Sequence, residues 1–118
     1  MNLAVLTDKS IVEKWIKHAE DTNNPEAYYN LGLIYYYGQG VERNIDIAIS
    51  WFLRAAEMGD VDSMNNAASL LAETGYFEQA AEWFQQAIDH GDELAKKNLS
   101  LCQSALKAKS LRHDELNR

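Results

Sequence analysis

The sequence predicts an all-α protein of about six antiparallel helices arranged as a repeat solenoid. Three observations point there. The tryptophans Trp15, Trp51 and Trp83 are spaced by 36 and 32 residues, and each is followed four residues later by alanine. Asn30, Asn66 and Asn98 keep the same two spacings. Between these marks the apolar residues recur at helical intervals, as in Tyr28, Leu31, Gly32 and Tyr35. A period of about 30–40 residues carried by two independent series is the signature of stacked helical hairpins.

Helices are expected near residues 10–22, 25–37, 45–58, 61–73, 77–90 and 93–110. For the first, Ser10 and Glu13 have the spacing of a capping box. Asn24-Pro25 puts a capping side chain before a proline at the first helical position of the second. Asn44, Asp60 and Asp92 are N-cap candidates for the third, fourth and sixth. Gly59 and Gly91 suit left-handed helix ends. The recurring tryptophans lie on the apolar stripes and are expected in the core.

The segment 27–60, "AYYNLGLIYYYGQGVERNIDIAISWFLRAAEMGD", resembles a Sel-one-like repeat, a branch of the tetratricopeptide-repeat superfamily. The matching positions are Ala27, Leu31-Gly32, Tyr35, Gly38, Gly40-Val41, Ala48, Trp51-Phe52, Ala55-Ala56-Glu57 and Gly59. Asn44 stands where aspartate is usual. Residues 61–92 resemble an ordinary tetratricopeptide repeat with a shorter turn. The resemblance implies a right-handed α–α superhelix whose first-type helices face a concave groove, and covers about residues 10–106. The whole chain then reads as one domain: an N-terminal half repeat (10–24), a Sel-one-like repeat (25–60), a tetratricopeptide-like repeat (61–92), a capping helix (93–112) and a tail (113–118).

Aromatic residues grouped on that expected groove face suggest a protein or peptide as partner. On the groove face the expected contact residues are Tyr29, Asn30, Leu33, Tyr36 and Tyr37 from the first full repeat. Asp62, Asn65, Asn66, Ser69 and Glu73 follow from the next, and Lys97, Asn98 and Leu101 from the capping helix. The three asparagines of the ladder either bond neighbouring helices or pair with a ligand's backbone. The first reading is preferred, because asparagine before Leu-Gly is common in the family.

Charge adds a second class of partner. Residues 1–92 hold fifteen acids and five bases, a balance of −10, whereas residues 93–118 hold three acids and six bases, a balance of +3. An acidic body argues against nucleic acid, which requires a basic face. It suits a basic protein, as for a small inhibitor, immunity protein or secretion chaperone. The first helix is of the second type and lacks its own first-type partner. Its open edge would be covered by residues 3–6, "LAVL", or by a second chain in a homodimer, which would make the chain a structural subunit.

Enzyme chemistry finds no foothold in the pattern, and no cofactor is expected. His18, His90 and His113 fall on separate elements without metal-ligand spacing. The lone Cys102 sits at a small apolar helix position. "YYYGQGV" at 35–41 lacks the third glycine and the preceding strand of a dinucleotide fingerprint, so its glycines are expected to turn the chain. There is no signal-peptide pattern and no apolar run of membrane-span length. "HDEL" at 113–116 is followed by Asn117 and Arg118 and is not read as a retrieval signal. A cytoplasmic location is expected.

Overall fold

The structure, a computed structural model, describes the backbone of residues 3–117 and the side chains of residues 10–117. Among the described residues there are six helices and no strand. These are α1 (Leu3–Thr22), α2 (Pro25–Tyr37), α3 (Ile45–Glu57), α4 (Val61–Glu73), α5 (Phe77–Asp89) and α6 (Ala95–Leu116). The all-α expectation holds.

Four of the six helices begin and end within a residue of their expected bounds, and three of them, α2, α3 and α4, start at caps encoded locally. Asn24 accepts a hydrogen bond from the Glu26 amide through Oδ1 at 3.0 Å, with Pro25 behind it. Asn44 caps α3 through the Ile47 amide at 3.0 Å. Asp60 serves α4 twice, accepting from the amide of Ser63 at 3.0 Å and from its hydroxyl at 2.5 Å. That pairing explains how Ser63 can be the polar residue of the buried interior.

The two outer helices differ from expectation. α1 runs from Leu3 straight through Ser10, so the capping-box reading of Ser10 and Glu13 is wrong. A capping box terminates a helix only where the preceding backbone leaves the helical region, and "LAVLTDKS" contains no glycine or proline to force that. Residues 3–6 therefore belong to the same helix as Trp15 and cannot fold back to cover its edge. α6 continues to Leu116 rather than stopping near 110. Its last residues again lack a breaker, and basic His113 sits in the final turn, where the helix dipole favours positive charge. α6 also starts later than expected. Asp92 caps a preliminary turn, accepting from the Leu94 amide at 3.1 Å, and regular helix begins at Ala95.

The chain divides into two compact units, residues 1–63 and 64–118, each with its own interior. In the first, α2 packs on both α1 and α3. Its core gathers Ala19, Ala27, Tyr28, Leu31 and Ala55, with Ile16, Tyr29, Ile34 and Trp51 packed around them. Gly32 sets the α2–α3 distance: a Cβ there would lie 2.5 Å from the Phe52 ring. In the second unit α5 packs on α6, and Phe84, Ala87, Ala95 and Cys102 are buried.

The tryptophans correct the sequence reading. Trp51 and Trp83 are only half-buried, and Trp15 is 42% exposed. Their neighbours Phe52 and Phe84 are enclosed instead, each 2% exposed or less. A small residue opposite, Gly32 for Phe52, makes room for one ring only, and the adjacent residue on the helix is rotated about 100° away.

Candidate protein-contact surfaces

The turn after α2 is built by its glycines. Gly38 (φ +70) closes the helix, its amide donating to the Ile34 carbonyl together with that of Gln39. Gly40 (φ +77) takes the second left-handed position. The chain then returns so that the Asn44 amide donates to the Tyr35 carbonyl at 3.0 Å. The motif is a helix-to-helix corner.

That corner presents Tyr36 and Tyr37. Tyr37 is 63% exposed, and the two rings meet edge to face with centroids 4.9 Å apart. Arg43 braces them, donating from Nε to the Tyr36 carbonyl at 2.8 Å and placing its guanidinium 5.2 Å from the Tyr36 ring centre. The result is an aromatic surface held in shape by the loop beneath it, with a cation at its edge.

The other candidates on α2 are more enclosed. Tyr29 is half-buried and packs at a tilt on Phe52, with centroids 5.8 Å apart, so it contributes to the interior as well as to the surface. Asn30 and Leu33 are half-buried. The inner face of α2 carries a polar cluster. The Tyr28 ring stacks on Trp51 (5.8 Å, 12°), and its hydroxyl donates to Asn23 Oδ1 at 3.2 Å. Arg54 covers the stack, 4.5 Å from the Tyr28 ring centre and 5.6 Å from that of Trp51.

In the second unit, Ser69, Asn98 and Leu101 do come together. With Ala72, Phe77, Phe84 and Cys102 they line a pocket of about 200 Å³. Asn65 has its amide engaged by the Asp92 carboxylate and helps hold the start of the α6 segment. Asn66 is half-buried, whereas Glu73, Lys97, Asn98 and Leu101 are exposed. Of the ladder, Asn30, Asn66 and Asn98 make no side-chain hydrogen bond among the described residues. Cys102 is buried, and burial pushes its thiol above the ordinary value. Among the described residues no group of three or more His, Cys, Asp or Glu is placed to hold a metal ion, and no helix is long and apolar enough to cross a membrane.

Sequence reasoning gave the first helix an open edge but expected its tryptophan in the core. Ile11 (43% exposed) and Trp15 stand on the outer face of α1, where with Lys14 and His18 they line a pocket of about 340 Å³. The signal was available in the register of Trp15 with Trp51, but that register was read as a mark of burial.

Residues 25–60 match the family described as Sel1 repeat, and residues 61–89 match the family described as tetratricopeptide repeat. Among solved structures, the chain is similar to a Sel1 repeat protein from Oxalobacter formigenes. The identity is 36% with TM-score 0.64, covering 80% of this chain and 40% of that one. It is also similar to a protective antigen of uropathogenic Escherichia coli strains that displays an SLR fold, with 34% identity and TM-score 0.65 over 75% of this chain and 20% of that one. Among curated proteins, an uncharacterized protein of Neisseria meningitidis serogroup B is 35% identical over 58% of this chain and 14% of its own length. A chitin synthase regulator of Saccharomyces cerevisiae is 31% identical over 52% and 9%. The chain thus spans a small part of the curated relatives and less than half of the solved ones. The two family matches are contiguous and together cover more than half of the chain, which carries a Sel1 repeat followed by a tetratricopeptide repeat.

Proposed function

We propose that the chain is a non-catalytic protein–protein interaction module that binds a protein or peptide, with the end of α2 in the first unit as its contact surface. Repeats of this family typically mediate protein–protein contacts. The observation that carries the reading here is the braced Tyr36–Tyr37 pair. Large aromatic rings that are exposed yet held in place supply contact area at little entropic cost, which is why they dominate binding hot spots. The pocket of Ser69, Asn98 and Leu101 is a second candidate contact, of a size for one apolar side chain.

The test replaces Tyr36 and Tyr37 together with asparagine and leaves Tyr29 alone, since Tyr29 also packs on Phe52. Capture of the partner from lysate should fall while helical circular dichroism and Tm stay unchanged. Undiminished capture would remove this surface from the proposal.

The charge balance favours a basic partner, the reading of a small acidic inhibitor, immunity protein or secretion chaperone. Steering by the −10 body predicts an association rate that falls steeply with added salt. A rate indifferent to salt would count against it.

A further inference from the structure

Between residues 23 and 92 the chain carries eleven acids and only two lysine or arginine residues, Arg43 and Arg54. Neither arginine takes an acid as partner. Among the described residues the one ion pair joins Lys96 to Glu93, and Glu42 and Asp46, which flank Arg43 in sequence, leave it alone. Both arginines lie over tyrosine instead, Arg54 at 4.5 Å from the Tyr28 ring centre and Arg43 at 5.2 Å from that of Tyr36. A guanidinium laid on a ring keeps its in-plane N–H donors. The two differ in what remains of these. Arg54 donates from an Nη to the Tyr28 hydroxyl at 3.3 Å and closes a stack already made with Trp51. Arg43 donates only from Nε, to the Tyr36 carbonyl at 2.8 Å. Its two Nη groups have no acceptor among the described residues, and the side chain is exposed beside Tyr37.

We propose that the Tyr36–Tyr37–Arg43 corner selects a partner segment presenting a carboxylate, from aspartate or glutamate, next to an apolar side chain. The carboxylate takes the two Nη groups of Arg43, and the apolar side chain lies on the Tyr37 ring. This rests on the reading of Tyr36 and Tyr37 as a contact surface and names what that surface recognises. A carboxylate fits because two N–H donors on one guanidinium edge meet its two oxygens in a plane. An ammonium group at the same place would be repelled by Arg43. The Nε bond holds the fork in position before the partner arrives, so little side-chain freedom is lost on binding. Charge then sets the register. Over residues 23–92 a carboxylate meets other acids everywhere but at the two arginines, and Arg54 is engaged with its own rings. A partner that is basic as a whole is steered by the acidic body and placed by this one carboxylate.

The probe comes from random twelve-residue peptides displayed on phage and selected on the whole protein. Selected peptides should carry aspartate or glutamate next to an aliphatic or aromatic residue. In fluorescence anisotropy, exchanging that acid for its amide should weaken binding about tenfold. On Arg43→Gln protein with unchanged circular dichroism, the acid and amide peptides should bind alike, so that the difference between them vanishes. Arg43→Lys should recover only part of it, since an ammonium has no fork. On the unaltered protein the acid peptide should shift the Arg43 Nε–H signal in NMR and leave that of Arg54 in place. If Arg43→Gln weakens both peptides by the same factor, Arg43 only braces the tyrosines and the proposal falls. Selected peptides that need Tyr36 and Tyr37 but carry no acid also overturn it, while the contact surface stands. Peptides indifferent to Arg43→Gln and to Tyr36→Asn with Tyr37→Asn, or no peptide selected at all, overturn the surface as well.

Discussion

Gly32 of α2 sits against the Phe52 ring of α3 so closely that a single added methyl would overlap it, at 2.5 Å. Through this contact a repeat residue becomes an interhelical distance, and the distance encloses Phe52 entirely.

Gly32→Ala tests that relationship with the sign in question. Glycine to alanine inside a helix ordinarily stabilises by about 0.5–1 kcal/mol. Here overpacking should win, for a net loss of about 1–3 kcal/mol in denaturant unfolding. Adding Phe52→Leu to Gly32→Ala should then cost less than the sum of the two single changes, because the smaller side chain relieves the overlap. Simple additivity would mean that the helices part without using the Phe52 site.

Phe52→Ala should cost more than Trp51→Ala, although tryptophan is larger. Phe52 is fully enclosed, and its truncation is expected to cost about 3–5 kcal/mol, a large part of the stability of a small domain. Trp51 is half open, so its removal forfeits the stack on Tyr28 and part of a buried area. Thermal melts of the two variants, side by side, give the order.

Gly38→Ala should destabilise by about 1–2 kcal/mol, since alanine at φ +70 enters the left-handed region. The new Cβ would also press on the Arg43 amide at 3.2 Å. Because Arg43 braces Tyr36, the same variant should disturb the tyrosine ring signals in NMR. Asn44→Ala, by comparison, removes one cap at a cost of about 1 kcal/mol and should leave those rings alone.

Cys102 gives the pH dependence. Its thiol pKa is raised by burial, so the folded state holds the proton more tightly than the unfolded chain. Its contribution is fully present below the unfolded thiol's pKa and is lost as pH rises toward the higher folded value. Stability should therefore decline from about pH 9 upward, and less so in Cys102→Ala, in which the lysines and tyrosines still titrate. At pH 8 a thiol reagent should label the native protein far more slowly than the denatured one. Equal labelling rates would show the thiol to be open.

Much of the fold was legible because it is local. Asn24, Asn44 and Asp60 announce the helix starts they cap, and Gly38 ends α2 where it stands. Ser10 shows the limit: its capping signal is real but loses to a helix already under way from Leu3. The contact surfaces were less legible. Tyr29, Tyr36 and Tyr37 look alike in sequence, yet one packs on Phe52, one is braced by Arg43 and one is largely in solvent.

The sequence alone determined the repeat, its register and its family, because periodicity and caps are properties of neighbouring residues. It did not determine which aromatic of each Trp-Phe pair is enclosed. That depends on how closely the facing helix approaches, and Gly32 decides it for Phe52. Nor did it determine that Trp15, in the same register as Trp51, is left uncovered. Burial belongs to the pair of surfaces that meet, and α1 lacks on that face the ring that α2 lays on α3.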